Sequence, residues 1–458
     1  MSSPAPSASD ADVDGSTSEG PPLFYDITFS TYRVSTLHVG QETLSDTRLA
    51  RLSHRLRDAL SGGTLGGVEL RTGQDDHFTS RAGSLQAVTL RWAPVGSILG
   101  LSEDADALSN RRPPSRDLGS DAADDQRDDA ELKDLVARGG RHRALHISIA
   151  YQEGECSGIL LPPLSGQDGD DLWRRPQAGP GFSLNPGAGA DAAGGVPDAR
   201  PGPFLDLPVL MLRMPPALKL VVTQFLETAF DCRVSPLHLG TRSLVQSLET
   251  WARWFGLPPR GPFAKELLVT LAFYIAPPPA GGGVDGGDEP AEHSLGVKSV
   301  DVMIPAIDLP KMVAAGKSLE SQPLTVTVSS GGAHAPGWKD SPEKRRQLAG
   351  RLHEEGWAWR RQDKSRSGEG GPPLAQPFTE ALGAYLKEHL ALDLFHPGVR
   401  ITKVACCGFV MTEGRLKVLG PGVLEDSGSS AATLLRHRRA VWELLSGVVD
   451  KGSGKDLS

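Results

Sequence analysis

A stretch of nine residues near the start of the chain recurs two hundred positions later. Residues 32–40 read YRVSTLHVG and residues 232–240 read CRVSPLHLG. Arg33, Val34, Ser35, Leu37, His38 and Gly40 return as Arg233, Val234, Ser235, Leu237, His238 and Gly240, and Leu44 returns as Leu244. Solenoid repeats run roughly 20–50 residues, so a period this long argues for duplication of a whole folding unit. Each copy is followed by a helix-periodic segment and then by strand-like segments. The expected fold is therefore mixed α/β, of the α+β kind: two pseudo-symmetric halves of antiparallel sheet with helices. Within the motif, Leu37 and Leu237 suit core, and Gly40 and Gly240 suit a turn before a helix. His38 and His238 suit core or turn positions. Arg33 and Arg233 read as residues of a solvated strand face and not as a phosphate site.

The elements follow from periodicity. Residues 24–34, rich in Phe, Tyr, Ile, Thr and Val, read as a strand. Leu49, Leu52, Leu56 and Leu60 recur at helical spacing, so 46–60 is an amphipathic helix, with Gly62 and Gly63 placed to cap its end. Strands are expected at 66–71, 84–92 and 144–151. The second block opens with a strand at 207–213. Pro215 and Pro216 then begin a helix, since proline suits a first helical turn. A strand at 231–239, a helix at 243–255, strands at 266–276 and 297–304 and a helix from about Leu309 follow. Two later helices are expected at 342–358 and 378–390, then a hairpin of 399–405 with 408–419, and a closing helix at 431–448.

Composition divides the chain. Gly 53 and Pro 36 of 458 residues are high for a globular chain, whose average usage is near 7% and 5%, and they cluster. Residues 1–21 read as a disordered acidic tail. An N-terminal half spans 22–161, with an acidic insertion at about 101–131 that holds ten acids against four arginines and reads as a solvated loop. A Gly/Pro-rich linker covers 162–203, the C-terminal half and dimerisation region covers 204–450, and a tail covers 451–458. Shorter breaks fall at 277–295, 329–342 and 362–377. The net charge of −8 excludes a globally basic nucleic-acid binder, though not a local basic face. Cys156, Cys232, Cys406 and Cys407 show no C-x-x-C spacing, which argues for a reducing compartment and against a zinc site. The polar N-terminus is not a signal peptide, and no apolar run reaches 18 residues. The expectation is a soluble intracellular protein with no membrane span, no metal and no cofactor.

No complete catalytic motif stands out. There is no G-x-S-x-G, H-E-x-x-H or Walker A sequence, and the glycine runs lack the Lys-Ser/Thr of a phosphate loop. Two halves each bearing H-x-G suggest one enzymatic alternative: a duplicated phosphoesterase whose histidines serve as acid and base, using His38, His238 or His146. The repeated motif lacks the hydroxyl such enzymes carry after the histidine. Two stretches suit binding instead. Residues 344–366 hold eight basic residues, with Trp357 and Trp359 beside Arg360 and Arg361, a mixture suited to a phosphate backbone; the competing structural reading makes those tryptophans core. The closing hairpin is strongly apolar through Ile401, Val404, Phe409, Met411, Leu416 and Val418. A terminal hairpin can leave a sheet edge for strand addition by a partner, unless the helix carrying Trp442, Leu444 and Leu445 covers it.

The segments FYDITFSTYRVSTLHVG, VLMLRMPPALKLVV with FDCRVSPLHLG, and GRLKVL followed by VWELL resemble the CENP-L family of the constitutive inner kinetochore, in its filamentous-fungal form. The resemblance covers both blocks and skips the insertions, and its motifs are patterns of fold, not of chemistry. It implies a non-enzymatic, saddle-like duplicated structure in the nucleus, at the centromere. It also implies pairing with a CENP-N-like partner through the C-terminal region, which would put the interface on Ile401, Val404, Phe409, Met411, Leu416 and Val418. Other inner-kinetochore subunits are implied as further partners. DNA contact in a groove shared with the partner is implied as well, with Arg345, Arg346, Arg360, Arg361 and Lys364 as candidates. A DNA-binding clamp outside the kinetochore is a third reading.

Overall fold

The computed structural model describes residues 24–40, 42–61, 64–65, 68–69, 82–101, 121–165, 173–174, 203–274, 296–321, 356–357, 359–360, 376–421 and 431–454. The expected tail at 1–21, most of the linker at 162–203, the cap at Gly62 and Gly63 and most of the helix at 342–358 lie outside them.

The fold is α+β. Besides two-residue strands at Thr64–Leu65, Val68–Glu69 and Trp173–Arg174, its strands among the described residues are β1 (Thr28–Val34), β2 (Leu37–His38), β3 (Leu85–Pro94), β4 (Arg143–Tyr151), β5 (Gly154–Leu161), β6 (Phe204–Leu205), β7 (Val209–Arg213), β8 (Val234–Pro236), β9 (Leu267–Phe273), β10 (Ser299–Ile304), β11 (Val399–Ala405), β12 (Phe409–Thr412) and β13 (Arg415–Val418). Its helices are α1 (Asp46–Ser61), α2 (Val95–Ile98), α3 (Asp121–Arg141), α4 (Pro216–Phe230), α5 (Thr241–Trp254), α6 (Leu309–Ser321), α7 (Pro377–Leu390) and α8 (Ala431–Ser453).

One antiparallel sheet of eleven strands runs through both blocks, in the order β10-β9-β11-β12-β13-β1-β7-β5-β4-β3, with β8 also paired to β1. β1 is the joint. One of its edges pairs with β7, Ser30 opposite Leu212. The other is shared, Phe29 facing Leu416 of β13 and Val34 facing Val234 of β8. The two arms descend to this joint in the same chain order: β3, β4, β5, β7 on one side and β9, β11, β12, β13 on the other, with β10 added outside β9. Each arm ends in a helix, α4 after β7 and α8 after β13.

Alternation of side chains across each strand makes two cores. The larger joins Phe29, Ile159, Val209, Met211, Val269, Val404, Phe409 and Leu416 to Leu244, Leu248 and Trp251 of α5 and to Val441, Trp442, Leu445 and Val449 of α8. The second lies on the opposite face of the N-terminal arm, where Leu145, Ile147, Leu160, Leu210 and Leu212 meet Leu49, Leu52 and Leu56 of α1 and Val222, Phe225 and Leu226 of α4. The cores thus follow faces of a shared sheet and not the two sequence blocks. At about 25 cal/mol per Å2 of apolar surface, burial on this scale is the main term opposing chain entropy.

Local chemistry fixes the helix ends. Pro216 opens α4 and Pro377 opens α7, where the missing N–H is no loss. Buried Glu249 of α5 accepts from the Thr379 N–H at 2.8 Å and its hydroxyl at 2.7 Å, so a carboxylate sits at the positive end of α7. Gly40 needs its freedom, at φ 70°, whereas Gly240 is extended; only one of the two repeated glycines is required by backbone conformation.

Four expectations change. The acidic stretch read as a loop is helical from Asp121; the helix is anchored further on, where Leu135 joins the core and Gly139 lies flat on Gly96 of α2. Strand β5 was not expected, because both its faces are buried and GECSGILL shows no alternation. The second arm of the closing hairpin is two strands, β12 and β13, turning at Glu413 and Gly414. The helix at the end runs through Ser453, past the expected boundary of the tail.

Candidate functional site

The C-terminal arm is covered on one face. Residues directly opposite one another across a sheet share a face, so the register identifies what the other face presents. One row reads Asp301, Thr270, Lys403, Thr412, Arg415 and Ser30. The next reads Met303, Leu268, Ala405, Val410, Lys417 and Thr28. Arg400 lies beyond, opposite Ala272. None of these residues belongs to either core, and all are partly or fully exposed. Lys219 reaches in from α4 and donates to the Ser30 hydroxyl at 2.7 Å.

Arg400, Lys403, Arg415, Lys417 and Lys219 therefore gather on one open surface, with Asp301 as the acid in its rows. Asp301 accepts from the Thr270 hydroxyl at 2.6 Å. The Arg400 guanidinium lies over the Tyr274 ring at 4.2 Å, which holds its fork in place. Burial, and then the neighbouring Arg415 charge, pulls the Lys219 ammonium below its usual range. Crowded cations of this kind are relieved by an anionic partner.

The six apolar hairpin residues fall elsewhere. Ile401, Val404, Phe409, Met411, Leu416 and Val418 are 4% exposed or less, because their alternation points them at α5 and α8. The hairpin strands are also interior to the sheet, with β9 on one side and β1 on the other. These side chains are core, and α5 packs on β11 with Trp251 against the Phe409 ring, while α8 packs on α5, β1 and β7. The C-terminal arm ends instead on β10, where Met303 is 59% exposed, flanked by Val297 at 66% and Ile307 at 49%.

Of the basic residues at 344–366, Arg345, Arg346, Arg361 and Lys364 lie outside the described residues. Arg360 is ion-paired to Glu380 and packs over the Phe395 ring at 3.7 Å. Its guanidinium is enclosed, and burial lowers its pKa to about 10; it is not a surface cation. Trp357 and Trp359 are core, as the structural alternative had it, and Trp357 Nε1 donates to the Val399 carbonyl at 3.0 Å. The histidines of the enzymatic alternative are dispersed. His38 and His238 are exposed, His38 against the Phe204 ring at 5.3 Å, while His146 is buried in β4 beside the Ser157 hydroxyl at 3.1 Å. Cys406 and Cys407 are buried free thiols, as are Cys156 and, in part, Cys232.

The signal for the basic face was present in the sequence as VRITKVA and RLKV. Polar and cationic residues alternate there with the apolar ones that drew attention. Fold and face together define an α+β protein with a cationic surface on one side of its sheet. A family model described as Centromere protein L, CENP-L, matches residues 23–453, and the chain belongs to that family. It is a protein of the centromere and kinetochore, from a structural family not known for enzymatic activity. No curated protein matches the chain. No helix among the described residues is long and apolar enough to cross a membrane.

Proposed function

We propose that this chain is a structural subunit of the constitutive inner kinetochore that helps hold it on centromeric chromatin. In this reading it pairs with a CENP-N-like protein through its C-terminal half and contacts DNA with its open sheet face. The observation that carries the reading is the set Arg400, Lys403, Arg415 and Lys417 on that face, at the register given above. The cations stand on β11 and β13, with β12 between them, so the two pairs are two strands or roughly 9.6 Å apart; contacts of such cations with phosphates bind without reading sequence.

The partner surface moves, in this reading, from the hairpin's apolar side chains to the outer edge of β10. A strand edge left unpaired among the described residues, with exposed apolar neighbours, is suited to strand addition, and Met303, Val297 and Ile307 supply those neighbours.

The test is light scattering after size exclusion, on the chain alone and mixed with the CENP-N-like protein of the same organism. A stable one-to-one complex that Met303→Glu with Val297→Glu abolishes supports the pairing and its location. Failure of two folded proteins to associate sinks the pairing. A complex indifferent to both substitutions moves the interface off β10.

A further inference from the structure

The repeated motif has a place in the fold that the proposed DNA and partner surfaces leave unused. Its two copies pair with each other. Arg33 stands opposite Ser235 and Val34 opposite Val234. The Ser35 N–H donates to the Arg233 carbonyl at 3.0 Å, and the Arg233 N–H donates to the Ser35 hydroxyl at 2.9 Å. Val34 meets its own counterpart, so a local two-fold axis passes between β1 and β8 at that pair.

Alternation then sorts the side chains. Val34 turns into the second core. Arg33, Ser35, Arg233 and Ser235 share the opposite side, with the two arginines on a diagonal about 7–8 Å apart. Together they line a cavity of about 360 Å3. Asp206, Thr36 and the end of α8 at Gly452 and Ser453 complete the wall. Both arginines are exposed, whereas Asp206 is only 6% exposed. The Arg33 guanidinium rests beside Gly454, just past α8, where the negative end of the helix favours a cation.

We propose that this cavity binds a phosphate monoester, of the kind borne by a phosphoserine or phosphothreonine side chain of a partner. A guanidinium presents a planar fork that meets two phosphate oxygens at once. A phosphate monoester carries three terminal oxygens, so two forks reaching from a diagonal can meet it together by sharing one of them, with the Ser35 and Ser235 hydroxyls in the same lining. Two guanidinium groups outweigh the Asp206 carboxylate and the partial negative charge of roughly half a unit at the end of α8, so the cavity keeps a net positive charge that favours an anion. A DNA backbone is a poorer match: the cavity is small and single, and it opens on the face of β1 opposite the one bearing Ser30 and the cationic rows. The pairing also accounts for why Arg-x-Ser is repeated, which a solvated strand face does not.

The test is a phosphorus NMR titration of free O-phosphoserine with the full chain, together with fluorescence anisotropy on a DNA duplex. The expected result is saturable broadening of the phosphoserine signal, with affinity reduced at least tenfold in Arg33→Ala and in Arg233→Ala separately. Arg33→Lys, which keeps the charge and loses the fork, should be intermediate, and Arg415→Ser with Lys417→Ser should leave phosphoserine binding unchanged. Circular dichroism establishes that each variant is folded, and Arg233, exposed on its strand, covers the case in which Arg33 variants are not. No broadening with the folded wild-type chain overturns the proposal. So does broadening that survives both alanine substitutions together. If the two arginines matter to duplex binding while phosphoserine does not bind, the cavity is a nucleic-acid contact and the phosphomonoester assignment falls.

Discussion

The two arms of the sheet carry the same order of strands and treat their surfaces differently. In the N-terminal arm, β4, β5 and β7 are buried on both faces, between α1 and α4 on one side and the large core on the other. Its outer strand is also covered: the Leu90 N–H donates to the Ser53 hydroxyl of α1 at 2.8 Å, and Trp92 Nε1 donates to the Leu44 carbonyl at 2.9 Å. In the C-terminal arm, α5 covers one face, and the other carries partly or fully exposed cations. The difference teaches that arms with the same strand order can be covered on both faces or on one. The sequences say so only in part: RALHISIAY and GECSGILL bury His146, Ser148 and Ser157 on the side that alternates with their apolar residues, whereas VRITKVA and RLKV leave cations on that side.

Several measurements would break or sharpen that contrast. The largest effect concerns buried histidine. Burial and the neighbouring Arg438 charge lower His437 to about 3, and burial and Arg91 lower His146 to about 4. The unfolded chain takes up those protons near pH 6.5 and the folded chain does not. Stability is therefore full above pH 6.5 and falls as pH drops toward the folded values, by several kcal/mol in all. Urea titrations from pH 7.5 to pH 4.5 read this slope. His437→Leu should flatten its share, whatever it does to stability at neutral pH, and an unchanged slope would remove His437 as a cause.

Next come truncations under the covered faces. Phe409→Ala on the C-terminal arm should cost about 3–5 kcal/mol and Ile147→Ala on the N-terminal arm about 2–5 kcal/mol. Val410→Ala, on the open face, should stay within about 0.5 kcal/mol. Equal losses at Phe409 and Val410 in denaturant melts would mean that both faces of that arm are covered. The smallest stability effect belongs to Arg415→Ser with Lys417→Ser, again within about 0.5 kcal/mol. The same pair should reduce the slope of log affinity for duplex DNA against log salt by about 2. A salt slope that does not change would take the open face out of the DNA reading.

Much of the fold could be read directly. The helices at 46–61, 216–230, 241–254 and 377–390 follow from leucine spacing and proline starts, and the hairpin region follows from its β-branched alternation. What could not be read was which face of an alternating strand turns inward and which edges are used. Phe409 and Met411 look alike as core or as interface until α8 is placed. Arg360 looks like a phosphate ligand until Glu380 and Phe395 enclose it, because local sequence carries no record of a contact 20 or 35 residues away. The repeat raises the expectation of duplication, yet says nothing of its copies lying side by side, since strand pairing depends on chain closure and not on local propensity.

The central position of β1 has a consequence for how the molecule is made. Phe29 cannot find its partner Leu416 until nearly the whole chain has left the ribosome, and Ser30 must wait for Leu212. Contacts so distant in sequence slow the search for the native state, and an early strand with open edges invites mispairing in the interval. The earliest of the described strands is thus among the last to be enclosed, and a nascent chain of this kind spends much of its synthesis with its keystone unset.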